Sequence, residues 1–245
     1  MRTVFAFFAL AIPAFAAAIL PAPITSTHCA VDKITLDDPV HCVLGNSIAL
    51  ASLAIFPFVS MSVQAVGLPV DVNGSHGAGA SATVQYFFQV LGNPGDIVPI
   101  LIATQLSTTG SHPSLGIGSA SLLVHTTAAG DVLAAACSDG SCGGGSTFSG
   151  TLSTRARTGD INTLTLNAGA SAGGNLSSQS ATAFADPFIF IDPSFPTASL
   201  YSIAVSPGVG NAAAVPEPAT AALAILGALA LIARRRRAPT APLGT

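Results

Sequence analysis

The sequence predicts an all-β body, an antiparallel β-sandwich or jelly-roll-like domain, set between an apolar leader and a short apolar helix. Three observations predict it. From Ile19 to about Pro216 the chain is dominated by Gly, Ser, Thr, Ala and Val, apolar residues alternate there with small polar ones, and Pro and Gly punctuate it at short intervals. Alternation with a period of two marks half-buried strands, and strands joined by short turns without intervening helices pair antiparallel into two-layer folds. At about 200 residues the body is long enough to bury a core of its own.

Composition narrows the function. Half of the 245 residues are hydrophobic and only 8% are charged, against roughly a quarter charged in ordinary globular chains. That balance excludes an ordinary cytosolic enzyme surface. The net charge of −3 hides its distribution: between Ile19 and Pro216 the cations are Lys33, Arg155 and Arg157, facing ten aspartates, a net of −7. An acidic body repels phosphate backbones, so no nucleic-acid partner is expected.

Residues 1–18 read as a secretory signal peptide. Met1 and Arg2 precede an almost wholly apolar run broken at Pro13, and Ala16-Ala17-Ala18 supplies the small residues a signal peptidase needs, with cleavage after Ala18 favoured over Ala16. The body then runs over 19–210. The stretch from Ile48 to Val66 reads as a buried helix or as one long strand bent at Pro57, and the alternation of Val59, Met61, Val63 and Ala65 with Ser60, Ser62 and Gln64 favours strand. Clearer strands follow at Ser81 to Leu91, Ile97 to Gln105, Ser119 to Thr126, Thr147 to Thr158, Ile161 to Ala168, Gln179 to Ala185, Phe188 to Ile191 and Tyr201 to Val205. Turn residues separate them at Asn73-Gly74, Gly92 to Asp96, Gly130-Asp131, Gly159-Asp160 and Gly173-Gly174-Asn175. Gly159-Asp160 between two alternating runs reads as a hairpin, and Pro187 and Pro193, which cannot donate to a ladder, are expected to bracket a short strand or to lie on an edge.

Residues 211–214 form a small-residue linker to a segment at 215–237. There Val215-Pro216-Glu217-Pro218 leads into an Ala/Leu/Gly run from Ala219 to Ala233 and then Arg234, Arg235, Arg236 and Arg237. Fifteen helical residues reach roughly 22 Å, short of the ~30 Å hydrocarbon core, so the helix crosses only with thinning or snorkelling. The four arginines hold their end in the cytoplasm and place the body outside. These three elements in this order resemble the PEP-CTERM sorting segment of Gram-negative bacteria. The resemblance implies recognition by an exosortase, a membrane cysteine transpeptidase-like enzyme, with removal of the helix and transfer to the cell surface or extracellular matrix. Residues 238–245 form a cytoplasmic tail, a departure from segments that stop soon after the arginines. The run from Ala185 to Asn211 also resembles the end of many such bodies and carries no chemistry.

Four cysteines in an exported chain predict two disulfides. Three pairings are open; Cys29 with Cys42 and Cys137 with Cys142 are favoured because each closes a local loop. The dipeptides His28-Cys29 and His41-Cys42 also offer a tetrahedral zinc set, against which stands the oxidising compartment. No Gly-x-Ser-x-Gly occurs, His76, His112 and His125 have no recognisable partner spacing, and Asp37-Asp38, Asp186 and Asp192 lack the spacing of a calcium loop. Asn73-Gly74-Ser75 and Asn175-Leu176-Ser177 match a glycosylation sequon. A sugar platform would lack Trp, and the two tyrosines, Tyr86 and Tyr201, fall within strands. The expectation is a non-enzyme without cofactor: an exported surface or matrix protein whose partners are the secretion translocon, signal peptidase, the inner membrane before processing, an exosortase and extracellular polysaccharide. The alternative is a secreted hydrolase or carbohydrate-binding module acting on envelope polymers.

Overall fold

The computed structural model describes residues 19–31, 34–38, 41–44, 48–56, 59–67, 77–111, 115–143, 145–173 and 179–211. Two compact units divide between Asn211 and Ala212. The signal peptide, Asn73-Gly74, His76, His112, the sequon at 175–177, the sorting residues Pro216, Glu217, Pro218 and Arg234 to Arg237, and the tail lie outside the described residues.

The first unit is an antiparallel β-sandwich. Its strands are β1 (Ile24–Val31), β2 (Ile34–Asp38), β3 (His41–Leu44), β4 (Ile48–Ala54), β5 (Ser60–Gly67), β6 (Gly77–Leu91), β7 (Ile97–Gly110), β8 (Gly116–Thr126), β9 (Gly130–Cys137), β10 (Thr147–Arg157), β11 (Ile161–Gly173), β12 (Gln179–Ile191) and β13 (Ser202–Val205). One sheet has the order β2-β1-β6-β11-β8-β9, with β13 also on β6; the other has the order β10-β7-β12-β5-β4-β3. From β5 to β12 the chain places β5-β12-β7-β10 against β6-β11-β8-β9, the interleaved order of a jelly roll. β1 and β13 share one side of β6 end to end, β1 pairing with Ala78 to Gln85 and β13 with Phe88 to Leu91.

Alternation sends one face of each long strand inward. Ala78, Ala80, Ala82, Val84, Tyr86, Phe88 and Val90 of β6 are buried, and Leu164, Leu166, Ala168, Ala170 and Ala172 of β11 lie beside them. Side-chain size is graded along these faces. Toward one end the inner residues are Ala and Gly, and the layers meet backbone to backbone: a methyl group on Gly118 of β8 would fall on the Thr182 and Thr109 carbonyl oxygens of β12 and β7. Toward the other end Tyr86, Phe88, Ile100, Ile102 and Ile189 hold the layers apart.

Three local expectations change. Ile48 to Val66 is neither helix nor one bent strand but the hairpin β4–β5, paired from Ile48↔Val66 to Ala54↔Ser60. The turn at Gly159-Asp160 is present, with Gly159 at φ 87°, yet it is no hairpin: β10 and β11 belong to different sheets, so the turn arches between layers. The β8–β9 turn occupies 127–129, and Gly130, at φ 78°, already pairs with Thr126 as the first residue of β9.

Pro187 stands inside a continuous β12, opposite Thr104 of β7, rather than bracketing a short strand. Pairing of β12 with β5 stops at Ala185↔Met61, so the strand is open on that side from there on. Ile189 shows which way the backbone points: its N–H donates to Asn211 Oδ1 (2.9 Å) and its carbonyl accepts from Asn211 Nδ2 (2.8 Å), away from β7. Pro187, two residues earlier, has the same parity, so its missing N–H interrupts no bond to β7. The segment that carries Asn211 is pinned on its way. Ser206 Oγ accepts from Phe87 N at 2.9 Å, Val209 is buried, and Gly210 N donates to Ile55 O at 2.7 Å.

Two outcomes follow from this packing. Asn211→Ala should lower the stability to denaturant by about 1 kcal/mol and speed amide exchange at Ile189, because both backbone groups lose their partner; unchanged exchange would contradict the assignment. Gly118→Ala should cost about 1–3 kcal/mol through overpacking, where an alanine at an exposed strand position costs nothing comparable. Equilibrium unfolding of both variants measures these differences.

Candidate functional site

The described cysteines are disulfide-bonded. Cys137 and Cys142 form a disulfide with Cα atoms 5.6 Å apart. Within their loop Ser141 N and Oγ donate to Asp139 Oδ1 at 3.0 and 2.7 Å, which holds that carboxyl below its usual range. Cys29 is disulfide-bonded as well, and no free cysteine occurs among the described residues. Its expected partner, Cys42, lies on β3, whose side chains fall outside the described residues. Cys29 is fully buried, with Sγ 3.4 Å from Ala49 O of the opposite sheet.

Strand parity removes the zinc reading of the His-Cys dipeptides. Neighbouring residues of a strand face opposite sides, so Cys29 points into the core while His28 points out, its Nδ1 2.5 Å from Asp37 Oδ1 on β2. His125, for which the sequence showed no recognisable partner spacing, pairs at the surface with Asp131: Nδ1 lies 2.5 Å from Asp131 Oδ1 across the β8–β9 hairpin. The two pairs sit on different strands of the same sheet. Among the described residues no three His, Cys, Asp or Glu side chains gather closely enough to hold a metal ion. Asp192 is a turn residue, its Oδ1 accepting from Ser194 Oγ (2.7 Å) and N (2.8 Å), and those bonds hold its carboxyl below the usual range. Tyr86 is buried in the core, whereas Tyr201 donates to Asp96 Oδ2 at 2.6 Å.

Two surface features escaped the sequence reading. The first is an aromatic row on the outer face of β12, where Phe184, Phe188 and Phe190 are partly buried and the rings of Phe188 and Phe190 stack with centroids 5.4 Å apart. Their shared parity in the run from Phe184 to Phe190 was the available signal. Asp186 shares that face between Phe184 and Phe188, and burial pushes its carboxyl up from the ordinary value.

The second is a cleft of about 570 Å³ beside β10, an edge strand that among the described residues pairs with β7 alone. Ser153, Thr154 and Arg155 of β10 form one wall; Pro99 and Asp192 border it on the β7 and β12 side, and Ala128, Ala129 and Val132 of the β8–β9 hairpin form the other. Arg157 lies 3.9 Å from Asp160, whereas Arg155, two residues earlier on the same face, has no acidic partner among the described residues. Thr154 is only 6% exposed, and its Oγ1 is buried without a hydrogen-bond partner. No spacing in the sequence announces this site, because its walls come from four separate strands and turns. A second hollow, about 360 Å³, lies on the outer face of the other sheet over Gly79, Gly169, Ser119 and Ser171, with His28 at its rim.

Asp186 generates a pH prediction. A carboxyl whose folded pKa is raised above its unfolded value opposes folding once ionised, and the penalty fades as pH falls through the folded value. Asp186→Asn should therefore raise the melting temperature at pH 7 and lose that advantage on acidification through the carboxylate range. Melting curves across pH read this directly, and an advantage that grows in acid contradicts it.

No family model and no curated protein matches the chain. Among solved structures, it is similar to TmCBM61 in complex with beta-1,4-galactotriose, at 11% identity over 58% of this chain and 82% of that one, with a TM-score of 0.23.

Proposed function

We propose that this chain is a non-catalytic exported protein of the cell surface or extracellular matrix, delivered by a signal peptide and a PEP-CTERM-like segment and processed by an exosortase. The observation that carries the reading is the order Pro216-Glu217-Pro218, apolar helix, Arg234 to Arg237. Two facts from the fold support it. Disulfide-bonded Cys29, Cys137 and Cys142 suit an oxidising compartment and not the cytosol. Every strand among the described residues lies before Asn211, so cleavage near Pro216 removes none of them.

The two parts of the segment do different work. The arginines anchor the cytoplasmic end of a helix too short to hold itself. The prolines keep the residues before the helix extended, because neither continues a helix and each biases its predecessor toward extended backbone. An enzyme that attacks a backbone carbonyl needs such an extended stretch.

The variants separate accordingly. Pro216, Glu217 and Pro218 all changed to Ala should leave uncleaved protein in the inner membrane; Arg234 to Arg237 all changed to Ser should let uncut precursor leak outward. Pulse-chase labelling with membrane fractionation, in hosts with and without the exosortase, distinguishes them. Normal processing of the Pro-Glu-Pro variant would overturn the proposal.

A further inference from the structure

We infer that the cleft between β10 and the β8–β9 hairpin is a binding site for a uronate unit, a sugar that carries a carboxylate. The cleft is lined by both a cation and a carboxylate. Arg155 presents a guanidinium with no acidic partner among the described residues, and that planar fork matches a carboxylate through two parallel bonds. Asp192 presents a carboxylate whose Oδ1 is used by Ser194, leaving its other oxygen to accept from ligand hydroxyls.

The ligand class follows from the combination. A simple anion would meet Arg155 and leave Asp192 facing it with like charge. A neutral sugar would satisfy Asp192 and leave the cation unanswered. A peptide side chain would find no apolar pocket, since the apolar lining is Ala128, Ala129, Val132 and Pro99. A uronate brings one carboxylate and several hydroxyls on a rigid ring, and the volume of about 570 Å³ lies within the ordinary range of small-ligand pockets. Free sugar acids and uronate residues within a chain share this chemistry. The inference stands apart from sorting: it concerns the sandwich whether or not an exosortase acts on the chain.

The test is titration calorimetry of the full chain in detergent with galacturonate, with tri-galacturonate and with its fully methyl-esterified, uncharged form. Binding of the acidic forms is expected, the trimer being tighter where the natural ligand is a chain and equal where it is a free acid. Arg155→Gln should weaken binding about tenfold or more, the worth of a charge-assisted pair. Arg157→Gln removes the same charge two residues away and should stay within about twofold, the margin left to long-range attraction between exposed charges. The inference is overturned by no heat from either acidic form, by equal losses in the two arginine variants, or by equal affinity for the methyl ester or an acidic peptide.

Discussion

The sandwich depends on a gradient of side-chain size along its two inner faces. Interiors pack at near-crystalline density, so the spacing of two layers is set by what stands between them. Where β6, β11, β12 and β5 present Ala80, Ala170, Ala183 and Ala65, the layers must close until backbone meets backbone, as they do at Gly118. Where the same strands present Tyr86, Phe88, Leu164 and Ile189, they must open. A body this rich in alanine and glycine has little choice: a uniform separation would leave one end full of voids.

Opening the layers creates a second requirement, closure of the wide end. Polar groups there make a lattice rather than a hydrophobic lid. Asn162, fully buried, donates from Nδ2 to Asp160 O and accepts from Thr127 N. Gln89 Nε2 reaches Gly159 O, and Thr158 Oγ1 reaches Asn93 O. Gln89 of β6 and Asn162 of β11 both hold the 158–160 turn, Asn162 also holds Thr127, and Thr158 reaches Asn93, so the turns at 92–96, 127–129 and 158–160 are held as one surface. Buried amide side chains are costly unless paired, and here pairing is what joins the loops. The strap from β13 to Asn211 finishes the closure by filling the open sides of β6 and β12.

What could be read from the sequence was whatever is local. Period-two alternation located most of the long strands, because burial on one face writes that pattern directly into residues such as Ala82, Val84, Tyr86 and Phe88. Glycine at Gly159 and Gly95 marked true turns for the same reason, a left-handed backbone that other residues resist. Pairing is not local. Nothing in Gly159-Asp160 tells a hairpin from an arch, since both need the same reversal and differ only in which distant strand waits beyond it. Pro187 misled for a related reason: its cost depends on which side of β12 is open, and that is decided by where β5 starts. The short strands β1, β2, β3 and β9 were missed because a run such as Ile24 to Val31 alternates weakly, with Thr27 and Cys29 on its inner face.

The same division explains why the cleft was invisible while the disulfide loop was plain. Cys137 and Cys142 are five residues apart, and the turn residues between them state their own purpose. The cleft needs Arg155 from an edge strand, Asp192 from the turn after β12 and the Ala128-Ala129 turn of the other sheet, and these meet only because the layers have spread. Strand parity does the rest: Ser153 and Arg155 face outward at the bare edge of β10, while Thr154 faces inward and is buried. In a body with three cations and ten aspartates between Ile19 and Pro216, Arg157 pairs with Asp160 while Arg155 has no ion pair among the described residues, which leaves a cation available at this edge. The edge is also the place where an unpaired strand most needs an occupant or a guard, and a charged, hydroxyl-lined cleft blocks strand addition by another chain while leaving room for a small polar ligand.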